Sequence, residues 1–121
     1  MSDVVVTVPM GMWDEWIMEG DVPGSTAPSP LEPGDAWTFY ISPLRLPKIA
    51  PGERVYIVAH GKLRGYAALT QLFHDIDGAA LCREGGAVAV TINTPIRGFQ
   101  GWRYRWWDRS MERPFPEWRT P

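Results

Sequence analysis

The sequence predicts an α+β fold that is mostly β: a small, partly open mixed barrel with one or two short helices. Five or six short runs rich in Val, Ile, Tyr, Phe and Trp succeed one another, each ended by Gly, Pro or a polar turn. Against them stands one segment of helical spacing, residues 12–19, with room for one more helical turn later. At 121 residues the chain can bury one core and is too short for two. Local strand succession in so small a chain fits a barrel better than a parallel α/β sheet.

Residues 4–8 (VVVTV) form a β-branched run that reads as a buried strand, ended by Pro9 and Gly11. In residues 12–19, Met12, Trp13, Trp16 and Ile17 recur at helical spacing, Asp14 and Glu15 sit in the first turn, and Gly20 supplies the stop. Residues 21–35 hold four prolines and two glycines and read as a surface loop, either a lid or partner contact or a tolerated insertion. A second strand follows at 37–41 (WTFYI), then a proline-bounded connector ending in a tight Pro51-Gly52-Glu53 turn. Residues 54–59 (RVYIVA) are the third strand and His60-Gly61-Lys62 a hairpin turn. Residues 63–72 are the fourth strand, bent or bulged at Gly65. The polar, turn-rich stretch 73–86 leaves room for one helical turn, and residues 87–92 (AVAVTI) read as a fifth strand. A sixth is expected over 102–106, and residues 108–121 as a tail wrapping the surface of a single domain spanning 1–121.

The net charge of −2 hides an asymmetry: residues 1–60 carry −5 and residues 61–121 carry +3. A basic C-terminal half suits a phosphate-bearing partner, while an overall pI near 5.6 argues against tight, nonspecific duplex binding. Cys82 is the only cysteine, and His60 and His74 the only histidines, so neither an internal disulfide nor a thiolate or HxxxH metal site is expected. No cofactor motif occurs: the glycines of Gly98-Phe99-Gln100-Gly101-Trp102 precede a strand-like run rather than a helix. Asp75 and Asp77 read as turn residues. The N-terminus lacks the basic and apolar regions of a signal peptide, and no run approaches a membrane span, so the expected location is cytoplasmic.

The segment 94–118 (TPIRGFQGWRYRWWDRSMERPFPEW) carries four of the seven tryptophans, interleaved with arginines. Such a mixture can stack on bases and pair with phosphates, or it can plug a small barrel with arginine stems lying over the plug. As a strand it would point Trp102, Tyr104 and Trp106 to one face and Arg103, Arg105 and Trp107 to the other. Arg97, Arg103 and Arg105 are the candidate phosphate contacts, and Trp102 is either a stacking surface or barrel filling. His60, Lys62 and Arg64 form either a phosphate clamp or a solvated hairpin tip. Trp13 is either a base-stacking residue at the corner after the first strand or core, and Trp37 reads as core.

The order of elements, with Pro51-Gly52-Glu53-Arg54-Val55, Gly65-Tyr66, and Pro95-Ile96 with Gly98, Gly101 and Trp102, resembles the ASCH group of the PUA-like superfamily. The resemblance covers most of the chain. It implies a barrel that binds RNA or modified bases, sometimes in a pocket for a flipped base near the first strand–helix corner. Some ASCH members are amidohydrolases acting on acetylated cytidine, and others resemble ribonucleases. Their GxKxxExR signature is not matched here: Asp21, Val22, Pro23 and Gly24 follow Gly20, and no lysine precedes Lys48. The resemblance therefore implies binding more than hydrolysis. The expected function is binding of single-stranded nucleic acid, or of a nucleotide or modified base, through Trp13, His60, Lys62, Arg64, Arg97, Trp102, Arg103 and Arg105. The alternatives are a small hydrolase using residues such as Glu15, Lys62 or Asp108, and an adaptor that meets a protein partner through the 21–35 loop.

Overall fold

The computed structural model describes residues 2–8, 36–76, 78–84 and 88–115. The fold is mostly β, a curled half-barrel, as the sequence predicts. Its strands are β1 (Val4–Thr7), β2 (Ala36–Ile41), β3 (Arg54–Ala59), β4 (Lys62–His74), β5 (Ala79–Glu84), β6 (Val90–Thr91), β7 (Trp102–Tyr104) and β8 (Arg113–Pro114). Six of them make one sheet in the order β2-β5-β4-β3-β1-β7, and β6 pairs with β8 separately. The expected helix at 12–19 and loop at 21–35 lie outside the described residues. The described helical residues are one 3₁₀ turn, Arg109–Met111, capped by Asp108, whose carboxylate accepts from Ser110 N–H at 2.8 Å.

β1 runs parallel to β3 and antiparallel to β7, so it is flanked on both edges. Val4, Val5 and Val6 are all fully buried, as are Val55, Tyr56 and Val58 of β3. Burial on both faces explains why these runs read as continuous apolar stretches rather than alternating ones. Val4, Val6, Val55, Ile57, Leu69, Leu81 and Trp102 pack into one cluster. Val5, Tyr56, Val58, Leu63, Ile92, Ile96 and Trp107 pack into another.

The β3–β4 hairpin turns at His60 and Gly61, with φ of 55° and 76°. Two consecutive positive φ values are the type I′ arrangement, whose twist matches that of the strands it joins. Four residues on, Ile57 pairs with Gly65 but Val58 with Leu63, so Arg64 is the extra residue of a bulge. This is the bend expected at Gly65. β4 is 13 residues long and belongs to both halves of the sheet, pairing with β3 up to Ala68 and with β5 from Leu69. A second irregularity between Leu69 and Gln71 lets the same strand turn the corner of the half-barrel.

Two expectations are corrected. The 73–86 stretch is not a turn-rich connector: β4 continues to His74 and β5 occupies Ala79–Glu84. A tight turn joins them, with Asp75 N–H donating to Gly78 O at 3.0 Å and Gly78 N–H to Asp75 Oδ1 at 2.9 Å. Ala79-Ala80-Leu81-Cys82 has weak intrinsic β preference, but it pairs with β2 on one side and β4 on the other, and that tertiary context decides. The 87–92 run, conversely, is not a full strand. Val88 bridges Tyr66, and only Val90–Thr91 forms a ladder, with β8.

Candidate functional site

The closing segment is fastened to the sheet at three points. Ile96 is buried and its N–H donates to Gly61 O at the hairpin tip, 2.9 Å away. Gly98 crosses the end of β1, where a Cβ would stand 3.2 Å from Thr7 Cγ2, and Phe99 N–H donates to Thr7 Oγ1 at 3.1 Å. Gly101, at φ 73°, then turns the chain into β7.

β7 ends at Tyr104, two residues earlier than expected, and this reverses the phase of the residues after it. Arg105 N–H still donates to Asp3 O at 3.0 Å, and beyond it the chain leaves the sheet. Trp106 is consequently 51% exposed and Trp107 buried, the opposite of the alternation read from the sequence. Trp107 packs edge-on to Tyr56 at 5.1 Å and anchors Trp106, whose ring meets it edge-on at 5.0 Å. Phe99 lies 6.4 Å from Trp106, and the Arg103 guanidinium sits 4.4 Å over the Phe99 ring. Phe99, Arg103 and Trp106 thus form a surface platform of two rings and one cation on a buried tryptophan. Arg97, also exposed, precedes it on the same segment.

The other expected residues divide. Trp102 is buried: its Nε1–H donates to Arg45 O at 3.0 Å, Arg45 Nη1 donates back to Trp102 O at 3.1 Å, and that guanidinium lies 4.1 Å over the ring. It fills the barrel end and offers no stacking face. Arg105 is tied inward, its Nε 3.0 Å from Asp3 Oδ2 and its Nη1 donating to Trp107 O. Arg64 is fully enclosed, its guanidinium 4.9 Å from the Phe115 ring, and burial lowers its pKa to about 10. Lys62 Nζ approaches the same ring at 5.6 Å, so the hairpin cations converge on Phe115. Burial, and then the charges of Arg64 and Lys62, lower the His60 pKa. Trp13 and Glu15 lie outside the described residues. Trp37 pairs with Arg83 in the β2–β5 ladder.

Beneath the closing segment lies a network that sequence reasoning missed. Asp3, with 2% of its side chain exposed, accepts from Arg54 N–H at 2.9 Å and from Arg109 Nη2 at 2.8 Å, besides Arg105. Burial disfavours its charge, but the Arg54 amide and the two guanidiniums outweigh that and hold the carboxyl below its ordinary pKa. Glu112 accepts from Tyr56 Oη at 2.6 Å, Trp107 Nε1 at 2.9 Å and Arg54 Nη1 at 3.1 Å. Burial and this carboxylate both push the Tyr56 phenol up. A cavity of about 180 Å³ opens beside the network, lined by Ser2, Asp3, Glu53, Arg105 and Arg109. Its two carboxylates and two guanidiniums balance, so it offers no net charge to an anion. The signal available in the sequence was an acid placed directly before a buried run of three valines, which cannot be buried without partners.

Among the described residues no group of His, Cys, Asp or Glu could hold a metal ion, and no helix is long and apolar enough to cross a membrane. Comparison of the chain with known protein families, with curated proteins and with solved structures found no match to any of them.

Proposed function

We propose that this chain binds single-stranded nucleic acid, or an unpaired or modified base, on the Phe99–Arg103–Trp106 platform. The observation that carries the reading is the half-exposed Trp106 indole, fixed edge-on against buried Trp107, with Phe99 6.4 Å away carrying the Arg103 guanidinium over its ring. A tryptophan held in this way offers a base its face with little further ordering cost, and stacking contributes about 1–3 kcal/mol per base. Arg103 and Arg97 supply the phosphate contacts, and the Lys62 side of the hairpin, which Ile96 joins to the platform, extends the basic track. Arg105 and Trp102 drop out of the contact set because their polar groups are already engaged within the protein. An acidic overall balance fits a partner with splayed bases better than a duplex.

In this reading the chain is an ASCH-type, PUA-like domain of the cytoplasm that binds rather than hydrolyses. Titration of labelled single-stranded and double-stranded oligonucleotides, followed by anisotropy, tests it. Binding of the single strand should quench tryptophan fluorescence and weaken in Trp106→Ala. Equal affinity for both forms, or no binding to either, would refute it.

A further inference from the structure

A file of aromatic rings runs from the surface into the core. Half-exposed Trp106 meets buried Trp107 edge-on at 5.0 Å, Trp107 meets Tyr56 edge-on at 5.1 Å, and Tyr56 meets Tyr66 at 5.4 Å. Rings at such centroid distances are in contact. Indoles and phenols are the aromatic side chains that give up an electron, and at neutral pH the phenol does so more readily once its proton can leave. The inner end of the file provides for that departure. The Tyr56 hydroxyl donates to Glu112 Oε2 at 2.6 Å, a short bond to a charged acceptor, and Trp107 Nε1–H donates to the same oxygen at 2.9 Å. A proton released from either ring therefore has one acceptor. Packing alone does not call for this arrangement: a phenylalanine at 56 and an apolar residue at 112 would fill the space without burying a carboxylate.

We infer that Tyr56 is a redox-active tyrosine, the resting place of a one-electron oxidation that enters at the exposed Trp106 face. The oxidant is a one-electron acceptor in solution, a radical or a high-valent metal complex. It takes an electron from Trp106 and leaves the indole radical cation. An electron then passes from Trp107 to Trp106, and another from Tyr56 to Trp107, which restores both indoles. As that last electron leaves, the Tyr56 O–H bond breaks and its proton crosses to Glu112 Oε2. The products are a neutral phenoxyl at Tyr56, a carboxylic acid at Glu112 and an oxidant reduced by one electron. Burial and the carboxylate hold the phenol protonated at neutral pH, so electron and proton leave together. Arg54 Nη1 donates to the Tyr56 oxygen at 3.0 Å, a bond that the phenoxyl oxygen can still accept. The same guanidinium lies 4.0 Å over the Tyr66 ring, where a positive charge opposes removal of an electron, so the oxidation stops at Tyr56. Tyr56 is fully enclosed, which keeps its radical from reductants in solution and from coupling with a second tyrosyl. This chemistry is independent of what the platform binds.

The test is flash photolysis of the full chain with tris(bipyridine)ruthenium and a cobalt(III) ammine as sacrificial acceptor, which together generate a one-electron oxidant. The background carries Tyr40→Phe and Tyr104→Phe, because those two phenols are exposed. The expected result is a tryptophan radical that decays as a tyrosyl radical grows in. The tyrosyl should be long-lived by electron paramagnetic resonance and should form more slowly in heavy water. Tyr56→Phe should lose the tyrosyl signal, Tyr66→Phe should keep it, and Trp106→Phe should lose most of its yield. Glu112→Gln should prolong the tryptophan radical at the expense of the tyrosyl, a spectroscopic change that a merely structural role would not produce in a folded variant. Decay of the tryptophan radical without a tyrosyl, or an undiminished tyrosyl yield in Tyr56→Phe or in Trp106→Phe, would overturn the inference. The isotope effect is read with Tyr56 in place, so its absence overturns the inference even where a variant fails to fold.

Discussion

The indole N–H of Trp107 donates to Glu112 Oε2 at 2.9 Å, and the same oxygen accepts from the Tyr56 hydroxyl at 2.6 Å. One carboxylate thus ties the segment after β7 to the middle of β3. Trp107 is in turn the support on which exposed Trp106 rests. Glu112 therefore supports both the end of the closing segment and, through Trp107, the order of the proposed platform.

Glu112→Gln keeps the size of that anchor but puts an amide in place of its charge and breaks the ion pair with Arg54. Only 6% of the Glu112 side chain is exposed, whereas Arg54 keeps 26%. A hydrogen bond to a charged group contributes about 1.5–3 kcal/mol, and partial solvation of Arg54 favours the lower half of that range. Urea denaturation should show a loss of about 1–2 kcal/mol for Glu112→Gln. Tyr56→Phe should cost a similar amount, and the double variant less than the two combined, since both remove the same bond. Strict additivity would mean that the two groups act independently.

Asp3 makes stability depend on acidity in a defined direction. Its pKa in the folded chain lies below the ordinary carboxyl value of about 3.9, so the folded state favours the ionised form. Its contribution is fully present above that ordinary value and is lost as pH falls through the depressed one. Asp3→Asn should lower the melting temperature at neutral pH and flatten the fall in stability below about pH 4. A variant whose acid limb runs parallel to that of the unaltered chain would place the acid sensitivity elsewhere.

How much could be read in advance varied with where the structural information lies. β3 was legible residue for residue because its β-branched run is buried on both faces, and the His60-Gly61 turn was legible because His60-Gly61-Lys62 separates that run from a second apolar stretch. β5 was hidden: Ala79-Ala80-Leu81-Cys82 becomes a strand only through its neighbours on both sides, which no local pattern records. The closing segment was legible in composition and not in phase. Its alternation holds for Trp102 and Arg103, already weakens at Tyr104, which is 38% exposed, and inverts at Trp106 and Trp107, because β7 stops where Asp3 captures Arg105. Arginines that look alike in sequence were sorted by partners far along the chain: Asp3 takes Arg105 and Arg109, while Arg103 is left to the surface.

His60 occupies a left-handed conformation that suits asparagine better than histidine, and Asn-Gly is the preferred type I′ pair. His60→Asn should therefore leave stability unchanged or raise it by a few tenths of a kcal/mol. His60→Val should lower it by about 1–2 kcal/mol, because a β-branched residue is strained at positive φ. Equal thermal stability of the two variants would show that the turn does not constrain this position. If oligonucleotide affinity is the same in His60→Asn, the imidazole is a turn residue only.

The arginines of the closing segment should separate into two kinds by salt dependence. Each phosphate contact releases condensed counterions from a single strand, so log affinity falls with log salt by about 0.7 per contact. Arg103, exposed over Phe99, should contribute to that slope. Arg103→Ala should therefore weaken binding at low salt and flatten the slope by somewhat under one unit, with little change in melting temperature. Arg105 spends its charge on Asp3, which it helps to keep ionised inside the protein. Arg105→Ala should lower the melting temperature and leave the slope nearly unchanged, any loss of affinity arising from a loosened platform. Trp106→Ala should weaken binding at every salt concentration by about the contribution of one stacked base, roughly 1–3 kcal/mol, because stacking releases no counterions. A flattened slope in Arg105→Ala with none in Arg103→Ala would reverse the assignment and put the path of the strand on the Asp3 side of the sheet.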